Sequence, residues 1–105
     1  MNEMQKRISK KVQQYGAEHG IVTDLSFLVM KLYEEVGEFT NALLIHEGKA
    51  RKRKLVSKGE SKKMLIGEIA DVIGASIAIA DKLGINVENA LIKTWFLNDN
   101  KDRKA

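Results

Sequence analysis

Not one of the 105 residues is proline, and that absence constrains the fold more than any other property of the chain. Proline punctuates turns, strand edges and helix starts. Only 6% of the residues are aromatic, and no run alternates apolar with polar residues between turn signals, so nothing reads as a sheet. The expected class is all-α. Helix breakers gather at 16–23, 48–59 and 83–86, and in the last of these Gly84 followed by Asn86 has the form of a terminating glycine and an N-cap. The spacing predicts four helices, over 2–16, 24–47, 60–83 and 86–100, in a single domain covering 1–105.

The third of these helices is the most apolar. Between Ile66 and Ala80 the only polar side chains are Glu68, Asp71 and Ser76, so it is expected to run through the centre of the molecule. Its longest apolar stretch, 72–80, interrupted only by Ser76, is far too short to span a bilayer, and no membrane partner is expected. Gly67, Ala70, Gly74 and Ala78 form a strip of small residues along it. Four short helices build a thin core, and close helix contact along that strip would complete it, so a homodimer or homotetramer is expected. The chain has no cysteine, which excludes disulfides, thiolate catalysis and cysteine-based zinc sites. No secretory leader stands in residues 1–10, and the expected compartment is the cytoplasm.

Charge is unevenly spread. The net charge is +4, yet Lys49, Arg51, Lys52, Arg53, Lys54, Lys58, Lys62 and Lys63 all lie in 49–63, opposed there only by Glu60. The rest of the chain is acidic on balance.

The acids carry the chemical information. Glu35 and Glu38 lie three apart on the second helix, with Glu34 beside them, and Glu68 and Asp71 lie three apart on the third. That spacing puts two carboxylates side by side on one face, but such pairs arise by chance, as Asp99 with Asp102 shows. Position decides. Glu35 falls within the apolar stripe of Leu28, Leu32, Phe39 and Ala42, with Glu38 at its edge, and Glu68 and Asp71 share a face with Met64, Ala75 and Ala78. Carboxylates turned towards a core need partners. Basic residues are scarce there: Lys31 is nearest the first pair and none occurs in 64–81. A divalent cation is the economical partner, magnesium first and manganese as a substitute, because both accept all-oxygen ligand sets. A ferritin-like di-iron site wants Glu-x-x-His, which neither His19 nor His46 supplies, and both histidines are expected in surface or capping roles.

EEVGE at 34–38 followed by EIAD at 68–71 resembles the two-part EExxE and ExxD motif of MazG-like nucleotide pyrophosphohydrolases, with the likeness running from KLYEEVGEF to ALIKTW. The resemblance implies an all-α, magnesium-dependent enzyme that hydrolyses nucleoside triphosphates to monophosphate and pyrophosphate. By motif position Glu35, Glu38, Glu68 and Asp71 would be metal ligands, and Glu34 or Glu35 would accept the proton of the attacking water. Lys93, with Asn98 and Lys101, would meet the substrate's phosphates, and Trp95 is the candidate for base contact. The long basic stretch between the two motifs departs from the family pattern, as does the Lys93-to-Asn98 spacing, one residue longer than usual.

The basic segment 49–63 has two further readings. It can offer counter-charge to a triphosphate, or the chain can be a small helical regulatory protein that binds nucleic acid through it. The segment lacks aromatic residues and anything that reads bases, so nucleic acid is not an expected partner from sequence alone.

Overall fold

The computed structural model describes residues 2–97. Of these, 81% are helical and none is in a strand, which settles the all-α class. The α-helices are α1 (Asn2–His19), α2 (Leu25–His46), α3 (Lys58–Lys82) and α4 (Val87–Leu91), with a 3-10 turn at Lys52–Lys54 and a π-helical turn at Ile92–Phe96. The first three expected helices are present with shifted ends; of the fourth, expected over 86–100, Val87–Leu91 is α-helical and Ile92–Phe96 π-helical, and its expected end lies outside the described residues. Asn98 and Lys101 lie outside the described residues.

The chain divides into two compact units. One comprises Asp24–Ser76, and the other joins the residues up to Thr23 with those from Ile77 onward.

In the first unit, α2 starts at an Asp24 N-cap whose carboxylate accepts from Phe27 N–H at 3.0 Å. It ends in a Schellman turn: Lys49 N–H donates to Leu44 O (2.8 Å) and Gly48 N–H to Ile45 O (3.1 Å). The start of α3 is capped by Ser57, whose hydroxyl accepts from Glu60 N–H at 3.1 Å. Leu28, Ala42 and Ile45 of α2 are buried, as is Ser61 of α3. On the outward faces, Met30 and Tyr33 are 72% and 74% exposed, and Ile66 and Ile73 are 59% and 51% exposed. A single chain therefore does not show α3 enclosed on all sides. Along the small-residue strip, Gly67 and Ala70 are exposed while Ala78 is buried within its own chain.

The other unit is tied together by Gln5, a buried side chain on α1. Its amide donates to Ile85 O (2.8 Å) and to Asp81 Oδ1 (3.2 Å), and its carbonyl accepts from Val87 N–H (2.9 Å). One glutamine thus serves the end of α3 and the start of α4, leaving its own polar atoms satisfied in a buried position. Between those helices the chain turns as the sequence indicates: Gly84 has φ 71°, and Asn86 caps α4 by accepting from Asn89 N–H at 3.0 Å.

Helix α1 runs past Gly16, which the sequence reading took as its end, and stops at Gly20, which has φ 66°. Gly16 is there for space. A Cβ at that position would stand 2.7 Å from Ile21 O and 2.7 Å from Thr23 Cγ2, because the chain folds back over it and Ile21 N–H bonds to Gly16 O at 2.9 Å. Gly16→Ala is expected to cost about 1–3 kcal/mol. Gly37→Ala on α2, with nothing within 4 Å of the new methyl, should stabilise by about 0.5–1 kcal/mol. Thermal melts followed by circular dichroism check both, and a Gly16→Ala variant melting at or above wild type refutes the close-approach account.

Candidate functional site

All five acids singled out in the sequence lie on α2 and α3 within the unit Asp24–Ser76. A spacing of three turns Glu35 and Glu38 the same way on α2 and Glu68 and Asp71 the same way on α3. The packing of the two helices then sets the pairs against each other. One carboxylate oxygen each from Glu35, Glu68 and Asp71 lie within 4.8 Å of one another, and so do one each from Glu34, Glu35 and Glu38. Glu35 belongs to both groups. Glu35 and Glu68 are half-buried, while Glu34, Glu38 and Asp71 are exposed. The inward placement read from the stripes therefore holds for one acid on each helix, with the others at the rim.

Two oxygens at the centre carry the main signal. Glu35 Oε2 and Glu68 Oε2 are both buried and have no hydrogen-bond partner in the structure. Such atoms are costly unless a proton or a cation reaches them. The charge environment agrees. Loss of solvent raises the Glu35 carboxyl above its ordinary value, the charges of Glu38 and Asp71 raise it further, and Lys31 opposes them. Glu68 is raised in the same way, by desolvation first and then by Glu38 and Asp71. Lys31 is committed elsewhere as well, since its ammonium pairs with Glu34.

A cation fits this donor set. The candidate donors are carboxylate oxygens alone, two of them buried without a partner and the others at an exposed rim, a set that could hold a hard divalent cation. Among the described residues none of Glu35, Glu38, Glu68 and Asp71 pairs with a base of the segment 49–63, so that segment does not neutralise them.

Lys93 and Trp95 sit on the π-helical turn of the other unit, and both are exposed, Trp95 by 71%. Asn98 and Lys101 are outside the described residues.

Sequence reasoning missed one polar contact in the same unit. His46, expected at the surface or as a cap, is half-buried, and its Nδ1 lies 2.7 Å from the Oγ of Ser61, which is 1% exposed. Ser61 Oγ donates to Lys58 O at 3.1 Å. The Lys58 ammonium in turn reaches His46 O. These bonds fasten the last turn of α2 to the first turn of α3. The seven residues from Ser61 to Glu68, and the eleven from Glu35 to His46, each return close to the same helix face. The visible signal was that spacing, but periodicity alone cannot say which faces meet.

No protein-family model, no curated protein and no solved structure matches this chain.

The raised carboxyls make stability depend on pH in a definite direction. With a folded pKa above the unfolded one, the folded state binds more protons between the two values, so stability falls as pH rises through that window. For metal-free protein the melting temperature is expected to fall from pH 4.5, the ordinary value for these groups, towards neutrality. Glu35→Gln and Glu68→Gln should each flatten that fall. Melts across pH check this, and a slope of the opposite sign, or one unchanged in both variants, refutes it.

Proposed function

We propose that the chain is a magnesium-dependent nucleoside triphosphate pyrophosphohydrolase of the MazG-like kind. The observation that carries the reading is the pair of buried, unpartnered oxygens, Glu35 Oε2 and Glu68 Oε2, at the meeting point of two motif-spaced acid pairs. A structural salt-bridge cluster would supply those oxygens with cationic side chains. This one leaves them open.

In this reading Glu35, Glu38, Glu68 and Asp71 would hold magnesium, with manganese as a substitute. A divalent cation there supplies positive charge to the phosphate oxygens and to the attacking water. Glu34 or Glu35 accepts that water's proton as its oxygen attacks the α-phosphorus. The bond to the β-phosphate oxygen breaks, and pyrophosphate leaves with the bond's electron pair. The chain has no cysteine, and its one close serine–histidine pair has its serine sealed from solvent, so water is the nucleophile this site accommodates. The resemblance gives Lys93, Asn98 and Lys101 to phosphate and substrate, and Trp95, an exposed aromatic, is the candidate for base contact by stacking.

The same reading includes self-association. Met30, Tyr33, Ile66 and Ile73 leave apolar surface on both helices that carry the acids, and a second copy burying those faces completes a core that one chain leaves thin.

Two outcomes are expected. Purified protein should release pyrophosphate, not orthophosphate, from at least one deoxynucleoside triphosphate with magnesium, and EDTA should abolish this. Asp71→Asn should lower the rate by about 100-fold or more while melting no lower than wild type in EDTA, since it removes one of several repelling charges. Orthophosphate as first product, or a large drop in melting temperature for Asp71→Asn with no effect of magnesium on wild type, overturns the reading. Light scattering at micromolar concentration should show at least a dimer for wild type, and Ile66→Lys should shift it towards monomer. A monomeric wild type refutes the assembly and leaves the hydrolysis assay standing.

A further inference from the structure

The segment 49–63 carries eight basic residues and one acid. Its shape is set by the fold. The Schellman turn at Gly48 launches it, and the 3-10 turn closes through Lys54 N–H to Arg51 O (2.8 Å) and Leu55 N–H to Lys52 O (3.1 Å). Ser57 then caps α3, and His46 with Ser61 and Lys58 anchors the far end to α2.

Two of the eight cations are used internally: Lys49 pairs with Glu47 at 3.4 Å, and Lys58 reaches His46 O. Arg51, Lys52, Arg53, Lys54, Lys62 and Lys63 are all exposed, and among the described residues none of them has an ion pair or a side-chain hydrogen bond. Six like charges held in one segment repel one another, and among the described residues none of the six is paired with an acid. An external polyanion offsets that repulsion.

The charge count points away from a mononucleotide as the occupant. A triphosphate is one compact ligand with about four negative charges, fewer than the six exposed cations spread over this segment. The acid cluster is also displaced along the helix: Lys62 precedes Glu68 by six residues, about 9 Å of helical rise, and Lys58 by ten, about 15 Å. A flat anionic bilayer is a poorer fit too, because interfacial segments bury a broad apolar or aromatic face, and here only Leu55 and Val56 are at hand, 38% and 47% exposed. Single strands are normally held by stacking on aromatic side chains, of which 49–63 has none. A double helix needs none: its densely spaced backbone charges bind ordered lysines and arginines without base contacts.

We propose that 49–63 is a sequence-independent docking surface for the phosphate backbone of duplex nucleic acid, a second function separate from the acid cluster and not dependent on its activity.

The test is fluorescence anisotropy of a labelled duplex of about 20 base pairs, with wild type and with R51Q/K52Q/R53Q/K54Q. Wild type is expected to bind at low salt and to weaken roughly a thousandfold between 50 and 200 mM salt, as for about six phosphate contacts. The four-site variant, with about two contacts left, should bind far more weakly and lose only about tenfold over the same range. K62Q/K63Q should fall between the two, and it serves if the four-site variant loses the helical circular dichroism of wild type. No duplex binding at 50 mM salt, equal binding by wild type and variants, or retention on phosphatidylserine vesicles with none on duplex overturns the proposal. Pyrophosphate release from free deoxynucleoside triphosphates in the same preparations reports on the acid cluster alone, so failure of either function is told apart from failure of the other.

Discussion

Repulsion among carboxylates brought together by the packing of α2 on α3 is the constraint on which this unit depends. Each helix contributes a pair at i, i+3, and the packing places Glu35 against Glu68 and Asp71 within 4.8 Å. Like charges at that range, half removed from water, oppose the packing that brings them together. The fold must therefore hold α2 and α3 by other means. The His46–Ser61–Lys58 contacts at the end of the helix pair supply a directional part of that hold. In the proposed reading the tension is functional: a site that is costly when empty of cations is one whose binding energy is already set by the scaffold.

That view separates what the sequence reveals from what it hides. The acid pairs are legible because they break a period: a glutamate inside the stripe of Leu28, Leu32 and Ala42 is visible as a violation. The turn at Gly84 and Asn86 is equally legible, since a left-handed glycine followed by a capping asparagine leaves a local mark. Long-range contacts leave none. Gln5 reads as an exposed helical residue until the start of α4 is laid beside it, and His46 reads as a helix-terminal surface histidine until Ser61 meets it. Gly16 misleads for a related reason. It looks like a terminator, but it is required by the chain crossing over it, and the terminator is Gly20 four residues on.

The depth of the site was half legible for a geometric reason. A stripe at 100° per residue says which way a side chain leaves its helix, but not how far the neighbouring helix extends over it. Glu35 and Glu68 are covered, whereas Glu38 and Asp71, one turn along, stand at the rim. The difference has a chemical consequence. A cation held only by covered carboxylates would be sealed from substrate, and one held only by exposed ones would gain little from the low dielectric. In the proposed reading a mixed set would do both, since two buried oxygens lack a partner while Glu38 and Asp71 stay exposed.

The distribution of charge follows the same logic at larger scale. A chain with eight basic residues in one segment and a cluster of acids on the same two helices could have neutralised one with the other. It does not: none of Glu35, Glu38, Glu68 and Asp71 pairs with that segment among the described residues. From Lys62 to Glu68 the helix rises about 9 Å, close to the screening length of about 8 Å at physiological ionic strength. Each field therefore acts mainly on what lies next to it. Internal pairing would have relieved both repulsions and left nothing for solution ions to bind. Keeping them apart leaves an acidic cluster and a basic segment that do not neutralise each other within the unit Asp24–Ser76.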